Sequence, residues 1–380
     1  MNAQISFLEG TFSLIHIPRN LYVSALQPII RVLLPQTQSL EDATAPLSRE
    51  QHGLTEEGQH GFLNVSVNPL ECSVVCHKSW AENVFRPVIN ALPKEASKAI
   101  SISSDEYLVI SVINAGMEAA SRVMELTSPL ALAGISVFFI TTYYSDFILV
   151  PSKAQEPVTQ ALLARGFQLA DNGPDYRSKG PAKGSPPSTP PPSTVAELQS
   201  RTFDLLRKRN VTPYVEDGLT LVQCSGRETA HLTHDFAQQM TRRPSQGNGR
   251  NTEAWLENVD TKLYTAMVSA LVSQPRFLSV TLAKDDPPSL LLDKSLLDIF
   301  GDSLVGDTEG ELVPIFLDLS SLPFEASGIV CGIAGQLVAD MKESSGLSYL
   351  STARAGAVIL PSEQAEQALG ILRPVLDKRD

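Results

Sequence analysis

Residues 140–151 read ITTYYSDFILVP, and residues 350–361 read LSTARAGAVILP. The two stretches align without a gap and end on the same Leu/Val-Pro step. Each is an apolar run, a polar turn and a second apolar run, the pattern of two short strands stopped by proline, which lacks a backbone donor. A second match lies further out: FLNVSV at 62–67 against FLSVTL at 277–282. Period-2 alternation in both marks strands with one buried face. Two matches at similar offsets make the chain an internal repeat.

Around these matches, each half carries the same succession. In the N-terminal half a strand at 11–16 precedes a helical pattern at Leu21, Tyr22, Ala25, Leu26, Ile29 and Ile30, and a hairpin follows at 62–67 and 73–76. In the C-terminal half the strand at 219–223, the helix through Leu263, Met267 and Leu271, and the hairpin at 277–282 and 289–292 repeat it. The second kind of unit opens with strands at 107–112 and 315–319. Helices follow at about 116–132 and from 327, then the matched strand pairs and a last helix. The order is β-α-β-β-α(-β), the ferredoxin-like pattern of a small antiparallel sheet with helices on one face. The expected fold class is therefore α+β: about four tandem ferredoxin-like units in two pairs, merged edge to edge or by helix packing because each alone is near the lower size limit for a core. The expected divisions are 1–95, 96–171, a Pro/Ser-rich linker at 172–200, 201–300 with a polar insertion at about 235–258, and 301–380.

The linker, NGPDYRSKGPAKGSPPSTPPPSTVAELQS, has too little apolar content to offset ordering entropy and reads as a flexible or polyproline-like joiner. The chain of 380 residues is 43% hydrophobic and 19% charged, enough apolar material for real cores. A net charge of −12 repels phosphate backbones, which counts against nucleic acid and against a polybasic membrane surface. No leader pattern and no long apolar run are seen, and four scattered cysteines make no disulfide framework. The expectation is a reduced, cytoplasmic protein.

Chemistry-bearing motifs are sparse. His231 and His234 share a helix face but lack a third ligand beyond Asp235 and the distant Cys224. Cys72 and Cys76 fall on one strand face and read as buried thiols. Asp302, Asp307, Glu309 and Glu311 lack calcium-loop spacing. There is no P-loop, no G-x-G-x-x-G after a strand and no nucleophile elbow, so no enzyme, metal or cofactor is expected.

Two segments carry a resemblance: GISVFFITTYYSDFILVP at 134–151 and SGIVCGIAGQLVAD at 327–340. With the repeat order they resemble ACT domains, and most closely the CASTOR group of four-ACT arginine sensors upstream of the TOR kinase. The resemblance implies a non-enzymatic regulator in nutrient sensing or amino-acid metabolism, with an amino acid held between the second and fourth units. It implies a pocket of Ser136 and Val137 on one side and Ser327, Gly328, Ile329, Val330 and Thr352 on the other, with Glu325 the nearest acid for an ammonium. The physics agrees independently. A glycine turn opening a helix, at 327–330 or at 114–116, offers unsatisfied N–H groups to a carboxylate. Ala326 and Gly356 stand where the arginine sensors have acids, which counts against a guanidinium ligand. Arg354 would favour an anionic ligand if it points inward, and is otherwise a solvated turn residue. Tyr143, Tyr144 and Asp146 follow the family's partner-contacting pattern, implying a regulatory complex; turn chemistry alone would also place them. A homodimer stays open. So does a scaffold that keeps the fold and binds partners without ligand.

Overall fold

The computed structural model describes residues 4–34, 61–113, 119–170, 194–227, 260–284, 286–341 and 346–377. The 114–116 turn, the linker as far as Ser193, the insertion at about 235–258 and both His231 and His234 lie outside them.

The strands expected from the alternation form, and short ones that were not expected join them. They are β1 (Gln4–Phe7), β2 (Phe12–Pro18), β3 (Phe62–Val67), β4 (Glu71–His77), β5 (Ser101–Ile102), β6 (Tyr107–Ile113), β7 (Phe138–Thr141), β8 (Asp146–Pro151) and β9 (Gln168–Leu169). The second half adds β10 (Pro213–Val215), β11 (Leu221–Gly226), β12 (Leu278–Ala283), β13 (Asp286–Asp293), β14 (Leu304–Gly306), β15 (Leu312–Asp318), β16 (Ser348–Ser351) and β17 (Ala355–Pro361). The longer helices are α1 (Leu26–Leu33), α2 (Arg86–Ala91), α3 (Ala119–Leu132), α4 (Gln155–Ala164), α5 (Val195–Lys208), α6 (Thr261–Val272), α7 (Ile329–Asp340) and α8 (Ser362–Leu376).

The expectation of tandem ferredoxin-like α+β units in two pairs is overturned by how these strands pair. Twelve of them close into one antiparallel ring in the order β2-β4-β3-β12-β13-β11-β15-β17-β16-β7-β8-β6 and back to β2. The remaining five, β1, β5, β9, β10 and β14, are appended to its rim. The reason is the edge problem: a four-stranded sheet leaves two rows of unpaired N–H and C=O groups, and closure removes them. The main seam is β3 against β12, registered from Leu278↔Val67 to Ala283↔Phe62. The other seams are single residue pairs, Ile140↔Leu350, Phe12↔Tyr107 and Leu221↔Leu312. Pairing also crosses the expected divisions, since β1 joins β6 and β10 joins β15.

Alternation along the strands separates three cores. On β8, Ile148 and Val150 face the helices while Phe147 and Leu149 face the ring interior; on β17, Val358 and Leu360 oppose Ala357 and Ile359 in the same way. One outer core packs α3, α4, α5, α7 and α8 against β6, β8, β15, β16 and β17. The other packs α1 and α6 against β3, β4, β12 and β13. The interior is lined by strands of both halves of the chain and includes a polar seam, where Asn64 Nδ2 donates to Ser279 (3.2 Å) and Thr281 (3.0 Å).

Helix α5 begins at Val195, inside the stretch expected to be linker. The Thr194 hydroxyl accepts from the Glu197 N–H (3.2 Å), so the chain is capped where proline content ends.

Candidate functional site

The strand β7 enters at Phe138, α7 begins at Ile329, and the β16–β17 turn runs from Thr352 to Arg354. These three pieces, with the loop after β15, enclose a cleft of about 50 Å³. Val137 and Phe138 form one wall; Ile329 and Val330 at the helix start form another; Leu322 and Phe324 cover it. One water needs roughly 10–15 Å³ of such space, so the cleft is small, the room of about three to five waters.

The turn is held from behind by β4. Glu71, fully buried, accepts from the Thr352 hydroxyl (2.6 Å) and from the Arg354 N–H (2.7 Å). Its other oxygen lies 2.5 Å from His16 Nδ1, and the Ser73 hydroxyl accepts from the Ala353 N–H (3.1 Å). A carboxylate spent in this way on backbone and hydroxyl donors positions the turn; it does not face the cleft. The Thr352 hydroxyl is likewise committed, to Glu71. Ser351 accepts from the Phe139 N–H (2.9 Å), tying the turn to β7.

Two polar groups on the wall are not committed. Tyr349 is 1% exposed, and its hydroxyl has no hydrogen-bond partner among the described residues. Burial pushes its phenol well above the ordinary value, so it stays a neutral donor. The Arg354 guanidinium stacks over the Phe324 ring, 4.0 Å from its centroid, with no acidic side chain in ion-pair range among the described residues.

Of the residues expected here, Val137, Ile329, Val330 and Thr352 line the cleft together. Ser136 and Ser327 are half-buried beside it and do not line it, and Glu325 is exposed and outside. Gly328 has a different task from the one expected. It caps α7 with φ +85°, and a Cβ there would meet Leu198 Cδ1 and Thr202 Oγ1 at 2.8 Å. Gly332 and Gly335 continue the stripe against Thr202 (2.9 Å) and Gln199 (2.7 Å). The glycines of SGIVCGIAG therefore let α5 lie close on α7. Gly356 faces Tyr349, whose hydroxyl would stand 2.7 Å from a Cβ, so the tyrosine occupies the space of a larger side chain at that position.

The expected partner-contacting residues divide. Tyr143 and Tyr144 are 38% and 54% exposed and pack edge to face, with ring centroids 4.8 Å apart. Asp146 is 1% exposed and pairs with Arg122 Nε (2.9 Å), so it cannot touch a partner. Burial pushes its carboxyl up to about 6, against the pull of Arg122. Sequence reasoning missed Glu71, His16, Ser73 and Tyr349. Only Glu71 carried a signal, as a lone acid opening an apolar strand, a residue type that is buried only when paired.

Residues 102–164, which contain the Val137–Phe138 wall, match the ACT domain family model. The chain carries an ACT domain there. Such domains are in general regulatory modules that bind small molecules, commonly metabolites. No curated protein matches the chain. Among solved structures, an Agrobacterium tumefaciens protein is 15% identical over 45% of this chain and 93% of its own, with a TM-score of 0.28. A Vibrio cholerae protein of unknown function is 15% identical over 43% of this chain and 90% of its own, with a TM-score of 0.24. Aspartate kinase from Synechocystis is 11% identical over 99% of this chain, with a TM-score of 0.32, and this chain spans 56% of its length. Among the described residues no helix is long and apolar enough to cross a membrane.

Proposed function

We propose that this chain is a non-enzymatic regulator that binds an amino acid or a related small metabolite, as the four-ACT sensors it resembles do. The supporting observation is the cleft between the ACT domain's β7 wall and the start of α7, where Val137, Ile329, Val330 and Thr352 meet. A helix N-terminus brings donors to a carboxylate, and apolar walls with few polar groups are what small-ligand sites have. Because the Thr352–Arg354 turn is bonded to Glu71 and Ser73 of β4, a ligand pressing on it would alter how the two halves are held. Occupancy would then bias the affinity for a partner at the exposed Tyr143–Tyr144 pair by preferring one packing over another.

Calorimetry of the full chain against the twenty amino acids tests the reading. Heat is expected from one or a few of them and is expected to vanish in Val137→Trp, which fills the cleft. Silence from all twenty at millimolar levels would count against it. The small cleft volume favours one other reading, a scaffold that binds partners without ligand; partner binding unchanged by Val137→Trp would support that instead.

A further inference from the structure

Apart from backbone carbonyls, the cleft's uncommitted polar groups can all donate. Thr352 and Ser351 are engaged with Glu71 and Phe139, which leaves the Tyr349 hydroxyl, the Arg354 guanidinium and the start of α7. None of the described residues lining the cleft is acidic, and Glu325 stands outside it. A buried hydroxyl without a partner costs free energy that an arriving acceptor would recover. Arg354 lies over Phe324 with its Cζ 4.0 Å from the ring centroid, and its planar guanidinium fork matches a carboxylate. A cationic side chain entering here would be desolvated next to Arg354 with no carboxylate to receive it.

Resting on the reading that this cleft binds a small metabolite, we infer that its occupant is a compact dicarboxylate, one carboxylate at the start of α7 and the other on Arg354 and Tyr349. Two sources share that chemistry, an acidic amino acid and a dicarboxylic acid without an amine. An arginine side chain is excluded twice, by Arg354 and by the Tyr349 ring over Gly356.

The test is calorimetry of the full chain with L-aspartate, L-glutamate, succinate, L-arginine and L-leucine, in wild type, Tyr349→Phe and Arg354→Gln. The expected result is that an acidic compound binds at least about tenfold more tightly than arginine or leucine. Tyr349→Phe should weaken it by about tenfold, as for one hydrogen bond to a charged acceptor. The same variant should leave the unliganded protein's melting temperature unchanged or raised, because it removes a buried unsatisfied hydroxyl. Arg354→Gln should weaken the acidic compound further and leave leucine unaffected. Binding of aspartate or glutamate without succinate assigns an amino acid; equal binding assigns the dicarboxylate itself. Tighter binding of arginine or leucine would overturn this inference while leaving a metabolite site. Acidic binding indifferent to both variants would overturn the placement. No binding by any of the five, with the remaining amino acids also silent, would overturn the site.

Discussion

At the scale of single residues, Gly328 and Asp146 make separable predictions. Gly328 combines a left-handed φ with contact against α5, so Gly328→Ala adds backbone strain of about 1–2 kcal/mol to overpacking of about 1–3 kcal/mol. A loss of about 2–5 kcal/mol in urea unfolding is expected; a neutral result would contradict both the left-handed backbone and the packing against Leu198 and Thr202. Asp146 has its carboxyl raised from the ordinary 3.8 to about 6 by burial, with Arg122 opposing. Between those values the unfolded chain releases the proton and the folded chain keeps it. The contribution to stability is therefore full below about pH 4 and lost as pH rises through about 6. Wild type measured against Asp146→Asn should lose relative stability from pH 4 to 6 and then level off; a difference independent of pH would refute it. Both residues stood out in the sequence, but their roles did not. A glycine before a helix looks the same whether its open side faces a ligand or a neighbouring helix. An aspartate after a Tyr-Tyr-Ser turn looks exposed until Arg122 reaches it from α3.

At the scale of elements, helix α5 shows what was readable and passed over. Thr194-x-x-Glu197 is a capping signature, and Leu198, Thr202 and Leu206 repeat at helical spacing, yet the preceding prolines drew the segment into the expected linker. The cap hydrogen bond makes Thr194→Ala cost about 1 kcal/mol, measurable by thermal or urea unfolding. An unchanged midpoint would mean that the helix start is not set by Thr194. The strands were more legible, because apolar alternation fixes which face is buried wherever both faces differ. The rim strands were not: β5 and β9 have two residues each, too few to show a period.

At the scale of the whole molecule, the repeat was visible in the sequence and the closed ring was not. FLNVSV and FLSVTL announce themselves as equivalent strands, but nothing in either announces that they are each other's neighbours. Their pairing depends on edges becoming available once each local sheet has formed, and on Asn64 and Ser66 finding Ser279 and Thr281 across the seam. Because β3 and β12 lie on opposite sides of the linker, residues 1–193 expressed alone would expose the β3 edge and are expected to self-associate on gel filtration, and co-expression with 194–380 to restore a soluble complex. A monodisperse, folded N-terminal piece would show that the ring is dispensable. What matters most is whether the cleft beside Tyr349 answers to a metabolite. The decisive experiment is hydrogen exchange of the full chain, with and without a saturating amino acid identified by calorimetry. Protection gained at Ser351–Ala355 and at the first turn of α7 is the predicted result; protection elsewhere with those segments unchanged would contradict it.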